Sequence, residues 1–161
     1  MKSSNNVRMI ELDATDRKIL RLLQADGRIS NADLAEAIHL SPSSCLRRVR
    51  RLESSGVIDR YAMLVNPAAI GKPTSIFIEI SLGSQSQKVL DAFEAAVVDS
   101  SEVMECYLMA GQSDYLLRVE VADMADYERI HKSQLSRLPG VAGIRSNFAI
   151  RMVCKKSLYE L

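Results

Sequence analysis

The densest cluster of charge in the sequence lies close to residue 50. Its four guanidinium groups fall within five residues, at Arg47, Arg48, Arg50 and Arg51, and no acidic side chain follows until Glu53. Guanidinium groups pair with guanine edges and with phosphate oxygens, so this cluster is typical of a nucleic-acid-binding surface. By itself, the cluster also fits a solvated helix face.

Residues for catalysis are not arranged in any recognisable pattern. The sequence has no Ser-His-Asp signature, no phosphate-binding loop, no HExxH motif and no paired Cys-His spacing. The three cysteines are too widely spaced for a zinc site or a disulfide framework, and we interpret each as a small buried hydrophobic residue: Cys45, Cys106 and Cys154. We therefore expect neither an enzyme, a metal nor a cofactor.

Composition and charge indicate a globular protein with a basic first part. Of the 161 residues, 47% are hydrophobic and 25% are charged, and no membrane span or secretory signal is present, so the cytoplasm is the expected location. Through Val65 there are 11 Lys/Arg against 8 Asp/Glu, whereas the remainder has 10 against 12. Only the first part is a candidate for nucleic-acid binding.

The first part contains three short predicted helices. Each begins at a polar N-cap, at Asp13, Ser30 and Ser41, and Pro42 suits the first turn of the third helix. An extended segment from Val57 to Val65 follows and ends at Asn66-Pro67. Three helices with a tight turn before the third, followed by an extended ribbon, are the outline of a winged helix-turn-helix over residues 13–65, after a flexible arm at 1–12.

The third helix is expected to enter the major groove of DNA. With Leu46, Val49 and Leu52 turned inward, the opposite side carries serine hydroxyls and guanidinium groups that can reach bases and phosphates. The helix N-terminus can itself bind a phosphate. Together with two residues at the start of the second helix, the predicted DNA-binding set is Ser30, Asn31, Ser43, Ser44, Arg47, Arg48 and Arg51.

The second part, residues 75–161 after a linker at 66–74, alternates strands with helices. Alternation over 76–82, 103–110, 115–121 and 144–152 predicts four strands, and helical spacing appears between the first two and the last two. The order βαββαβ is the ferredoxin-like arrangement, an antiparallel sheet with both helices on one face. We expect the other face to be apolar and to pack against a second copy of the chain.

Several motifs in fixed order resemble one known family. The segments LDATDRKILRLLQADGRIS, LSPSSCLRRVRRLE, GQSDYLL and RLPGV are similar to those of the Lrp/AsnC (leucine-responsive, feast/famine) transcription regulators, over about residues 12–153. The resemblance implies a winged helix-turn-helix that binds double-stranded DNA. It also implies a ferredoxin-like domain that forms homo-dimers and higher oligomers, commonly octamers. A ligand-binding domain without DNA binding is the alternative that the arginine cluster argues against.

The resemblance further implies a small effector, usually an amino acid, bound between subunits near the central hairpin loop. Loop N–H groups can bind its carboxylate, and the Asp114 carboxylate can accept from its ammonium group. Many members carry an acid and an aromatic residue where Gln112 and Ser113 stand, so the effector's identity does not transfer. Without the family, Gly111 and Asp114 are ordinary hairpin residues. The implied effector set is Leu108, Gly111, Gln112, Ser113, Asp114, Tyr115, Met124 and Ser146.

Overall fold

The computed structural model describes residues 10–156 and 158–161, so most of the predicted N-terminal arm, residues 1–9, lies outside the described residues. The chain forms two compact units. Unit 1 comprises Met1–Met63 together with Cys154–Leu161, and unit 2 comprises Leu64–Val153. Among the described residues, no helix is long and apolar enough to cross a membrane.

Unit 1 contains the three predicted helices, α1 (Ala14–Ala25), α2 (Asn31–Ala37) and α3 (Pro42–Ser54). Each has the expected N-cap, and at α1 the cap is reciprocal. The Asp16 N–H donates to Asp13 Oδ1 at 2.8 Å, and the Asp13 N–H donates to Asp16 Oδ2 at 3.2 Å. This capping box satisfies two backbone donors that the first helical turn leaves free.

The core of unit 1 joins all three helices. Because each helix is short, its stability depends on burying one apolar face against the other two. The buried apolar residues are Ile19, Leu20, Leu34, Ala35, Ile38, Cys45 and Leu52.

The segment after α3, predicted to be an extended ribbon, forms no strand and is not paired as a wing. Val57 and Ile58 pack against the helical core, and the Ile58 N–H donates to the Leu52 carbonyl at 3.1 Å. Residues 59–65 form no ladder with any strand in the part of the chain that is described, and residues 61–65 are exposed.

Unit 2 has the predicted βαββαβ order. Its elements are β1 (Thr74–Leu82), α4 (Gln87–Val98), β2 (Val103–Leu108), β3 (Tyr115–Val121), α5 (Met124–Ser133) and β4 (Val141–Phe148). The sheet order is β2-β3-β1-β4, and every neighbouring pair is antiparallel. This is the ferredoxin-like arrangement that the periodicity predicts.

One face of the sheet forms the core of unit 2. Ile76, Ile78 and Ile80 alternate along β1 and are fully buried, as strand geometry requires for residues on one face. They form one apolar cluster with Phe93 of α4 and Ile130 of α5, so both helices cover this face.

The opposite face of the sheet is mixed, and the expectation of an apolar surface is wrong. Arg118 forms ion pairs with Glu105 and Glu120, and Arg145 lies 3.4 Å from Glu79. Because β1 and β3 alternate between the two faces, Ser75, Glu79, Ser81, Arg118 and Glu120 fall on this side. Exposed apolar surface remains at Phe77, which is 38% exposed, and at Tyr107, which is 51% exposed.

The last strand lies earlier in the chain than the predicted 144–152, since it begins at Val141 and ends at Phe148. β4 ends at Phe148, which pairs with Ile76, and the Ala149 N–H makes one more bond, to the Ser75 carbonyl. Because β4 is antiparallel to β1, only the first residue of β1, Thr74, remains beyond that point as a partner. Ile150 is therefore 99% exposed.

Residues 158–161 pack against α1 within unit 1. The Gln24 side-chain amide donates to the Tyr159 carbonyl at 3.2 Å and accepts from the Tyr159 N–H at 2.7 Å, and Leu161 packs on the helical core. Residues 154–161, which we assigned to the second domain, therefore group with unit 1. Cys154 in this segment is exposed, so its predicted burial is wrong, whereas Cys45 is fully buried.

Candidate DNA interface and ligand site

The buried face of α3 differs from the predicted face at one position, because Cys45 is buried and Leu46 is exposed. Its inward face carries Cys45 and Leu52, both fully buried, with Val49 half-buried between them. Leu46, which we expected to be buried, is 38% exposed. Cysteine and leucine are both common core residues, so the apolar pattern did not distinguish position 45 from position 46.

The outward face of α3 is an exposed stripe at helical spacing, which we call the outward stripe and define by Ser43, Leu46, Arg47 and Arg50. These positions follow the i, i+3, i+4, i+7 pattern of one helix face, and all four are exposed. Within the described chain, neither Arg47 nor Arg50 has a carboxylate at ion-pair distance. Arg50 was not in the predicted set, although its position three residues after Arg47 gives the signal.

Arg48 and Arg51 lie on a different side of α3 and are already paired. Arg48 Nη1 lies 2.7 Å from Asp13 Oδ2 and 2.8 Å from Asp16 Oδ1, and Arg51 bonds to Asp16 Oδ2. The Asp16 side chain is fully buried. Hydrogen bonds from the Asp16 backbone N–H and from Arg48 lower the pKa of Asp13 to about 2. Two of the predicted DNA-binding residues are thus held by α1.

The predicted polar residues of the turn stabilise the helix starts. Ser30 caps α2 by accepting from the Asp33 N–H at 3.1 Å, and the Ser44 N–H donates to Ser41 Oγ at 3.3 Å. Asn31 Nδ2 donates to the Pro42 carbonyl at 2.9 Å, which ties the start of α2 to the start of α3. These contacts fix the turn between the two helices.

In unit 2, Asp114 anchors the central loop to the end of β1. Its Oδ2 accepts from the Leu82 N–H at 2.7 Å, and its Oδ1 accepts from Gln85 Nε2 at 2.7 Å. Its own N–H donates to the Ile80 carbonyl at 2.9 Å. Asp114 therefore fixes the position of residues 111–113, which is a structural role in addition to the predicted one.

Gln112 and Ser113 line an open cavity of about 290 Å³ on the mixed face of the sheet. Two oppositely charged side chains, Glu79 and Arg145, lie in the same lining. Neither was predicted, because they lie about 30 residues from the loop in sequence and only the β1–β4 register brings them together. The remaining lining residues are Ser81, Gly143 and Ile144.

The other predicted effector residues lie elsewhere in the chain. The Tyr115 side chain is buried on the helical face of the sheet, where its ring packs on Phe93 with centroids 4.4 Å apart and its hydroxyl donates to Glu94 at 2.8 Å. Burial raises the pKa of Tyr115. Position 115 can thus contribute only backbone to the cavity.

Three further predicted residues do not line the cavity within a single chain. Leu108 and Met124 are each 63% exposed, and the Ser146 hydroxyl is hydrogen-bonded to the Tyr127 hydroxyl. Met124 instead lines a separate groove along α5 together with Tyr127.

Comparison with known proteins identifies both units. Residues 12–59 match the winged helix-turn-helix DNA-binding family, and residues 75–159 match the Lrp/AsnC ligand binding domain. The chain is 44% identical over 146 residues to the leucine-responsive regulatory protein of Haemophilus influenzae, covering 91% of this chain and 88% of that protein. The chain belongs to the Lrp/AsnC family of transcriptional regulators. It is thus a DNA-binding regulator with a ligand-binding domain, and its family is not one of enzymes.

Other members of the family are similarly close. The chain is 44% identical over 149 residues to the Bkd operon transcriptional regulator of Pseudomonas aeruginosa, covering 92% of this chain and 97% of that protein. A transcriptional regulator of Neisseria meningitidis, solved in complex with L-methionine, has a TM-score of 0.85 at 34% identity and covers 91% and 95% of the two chains. An AsnC family regulator of Agrobacterium tumefaciens has a TM-score of 0.86 at 36% identity, covering 92% and 97%.

Proposed function

We propose that this Lrp/AsnC regulator reads duplex DNA with the outward stripe of α3 and that a free amino acid, bound in unit 2, modulates this binding. The observation that carries the first part is the exposure of Arg47 and Arg50 on one helix face, without a carboxylate partner in the described chain. Unpaired guanidinium groups on a helix that follows a tight turn are suited to guanine edges and phosphates.

The stripe divides the DNA contacts between two ends of α3. Ser43 lies in the first turn, where backbone N–H groups and the helix dipole favour a phosphate. Arg47 and Arg50 follow one and two turns later, and their guanidinium groups are suited to base edges or to backbone phosphates. Ser30 contributes by capping α2, Asn31 and Ser44 contribute by fixing the start of α3, and we expect all three to lie near the DNA backbone at that end.

We also propose a homo-dimer formed through the mixed face of the sheet, with dimers assembling to higher oligomers, up to an octamer. The helices cover one side of the sheet alone, and Phe77 and Tyr107 are exposed on the other. A symmetric dimer presents two copies of α3, so the operator is expected to be an imperfect palindrome with half-sites about 10 bp, or a multiple of that, apart.

The cavity beside Gln112 and Ser113 is suited to a zwitterion. Glu79 can accept from an ammonium group, Arg145 can bind a carboxylate, and loop N–H groups at Gln112 and Ser113 can add donors. In the oligomer, Leu108, Met124 and Ser146 of a neighbouring subunit would contact the amino-acid side chain. The Neisseria relative binds L-methionine, so methionine and other apolar amino acids are the first effectors to test.

The test combines ligand screening with one variant. Thermal-shift screening of the amino acids at millimolar concentration should give at least one stabilising ligand, because binding to the folded state raises the melting temperature. Arg145→Gln should weaken that ligand about tenfold or more in calorimetric titration and leave effector-free DNA binding unchanged, since loss of a charge-assisted bond costs about 1.5 to 3 kcal/mol. Absence of any ligand, or normal binding by Arg145→Gln, would show that the cavity is not the effector site.

A further inference from the structure

The ion pairs between the start of α1 and α3 connect four side chains in one network. We name the set Asp13, Asp16, Arg48 and Arg51 the clamp. Asp16 is the centre of the clamp. Its Oδ1 accepts from Arg48, and its Oδ2 accepts both from Arg51 and from the Asp13 N–H.

The clamp neutralises the two arginines that it contains. Two carboxylates face two guanidinium groups, so the clamp carries no net charge. Asp16 is fully buried, and a buried carboxylate requires its partners, since an unpaired charge in that position would be strongly unfavourable. Arg48 and Arg51 therefore cannot move to a phosphate without leaving Asp16 uncompensated.

The geometry also fixes the orientation of α3. Arg48 and Arg51 are three residues apart and extend from one side of the helix to one end of α1, where the capping box holds both carboxylates. Hydrogen bonds of fixed direction resist rotation and sliding of a helix better than apolar contacts, which have no direction. A small rotation of α3 would move Arg47 and Arg50 away from the bases and phosphates that we propose they contact.

We propose that Asp16 is a positioning residue for DNA recognition, and that Arg48 and Arg51 act through it and not through contacts with DNA. This inference rests on the proposed use of α3 to bind DNA. It divides the arginine cluster into an outward pair, Arg47 and Arg50, and a clamp pair, Arg48 and Arg51.

Salt dependence separates the two pairs. Each phosphate contact contributes about 0.9 to the slope of log affinity against log salt. With the full-length chain and a 30-base-pair duplex that the wild type selects from a random pool, Arg47→Gln and Arg50→Gln should each reduce the steepness of the slope by about 1 for each bound subunit, about 2 for a dimer, or lose base discrimination. Arg48→Gln and Arg51→Gln remove the same charge but should leave the slope unchanged and weaken the selected duplex roughly tenfold.

Asp16→Asn gives the most direct test, because electrostatics and positioning predict opposite signs. Removal of a negative charge from a DNA-binding unit should by itself strengthen binding to any duplex. Positioning predicts instead that Asp16→Asn weakens the selected duplex about tenfold while binding to an unrelated duplex stays within about twofold. Tighter binding to both duplexes, or a slope whose steepness falls by about 1 for each bound subunit in Arg48→Gln and Arg51→Gln, would overturn the proposal.

A double-mutant cycle tests the clamp without DNA. The melting-temperature losses of Asp16→Asn and Arg51→Gln should be non-additive, and Arg51→Lys, which keeps the positive charge and can donate to Asp16, should recover part of the loss. Additive losses would overturn the clamp even if the chain binds DNA. If the cycle shows coupling but no duplex is bound in a salt-dependent way, the clamp stands as a structural contact, the positioning role is overturned, and the proposed function of α3 fails with it.

Discussion

At the residue scale, the ionisation of Asp13 makes the stability that the clamp contributes depend on pH. The Asp16 N–H and Arg48 hold the pKa of Asp13 at about 2, below its ordinary value of 3.8. Since the pKa is lower in the folded state, the stabilisation is complete above about pH 5 and is lost as pH falls through 4 towards 2. In urea unfolding, the stability difference between wild type and Asp13→Asn should therefore shrink over that range. A difference that stays constant down to pH 2 would contradict the assignment.

The sequence predicts residues whose role is local better than residues whose role depends on a distant partner. Ser41 and Pro42 were correctly placed at the start of α3, because capping involves neighbours in sequence. The pairing of Arg48 with Asp16 could not be predicted, because the two residues lie 32 positions apart and no local pattern reveals the pair. Glu79 and Arg145 of the cavity were missed for the same reason.

At the scale of elements, the turn before β4 depends on Gly140. Its φ of +75° lies in the left-handed region, and a Cβ atom there would stand 2.6 Å from Val89 Cγ1 of α4. Gly140→Ala should therefore destabilise the protein by at least about 1 to 2 kcal/mol, measured by chemical unfolding. Gly111→Ala is the matched control, because no atom lies within 4 Å of its added Cβ, and should cost no more than about 0.5 kcal/mol. Equal losses would contradict this reasoning.

The ends of β3 and β4 show which strand boundaries the alternation of apolar and polar residues predicts and which it does not. β3 begins at Tyr115 and ends at Val121, as predicted, because a turn closes one side and the α5 cap closes the other. β4 stops at Phe148 although alternation continues to Met152. A strand requires a neighbour for its backbone groups. The alternation in β4 carries no information about where its antiparallel neighbour β1 begins.

At the scale of the whole molecule, self-association should depend on the mixed face of the sheet. Phe77→Asp adds a charge beside Glu79 on the proposed interface, and we expect it to shift a dimer towards monomer by about tenfold or more in dissociation constant. Light scattering over a concentration series would measure this. Val98→Asp, which changes an exposed residue of α4, should leave the dimer intact. Equal association of wild type and Phe77→Asp would place the interface elsewhere.

The packing of residues 158–161 on α1 makes unit 2 an insertion within unit 1, and this affects the order in which the chain can fold during synthesis. Gln24 and its partner Tyr159 are 135 residues apart. At about 5 to 20 residues per second, a ribosome needs roughly 7 to 27 seconds to make the intervening chain. The three helices therefore emerge and meet while the surface at Gln24 is still bare. All of unit 2 is synthesised after the three helices and before the segment that covers Gln24.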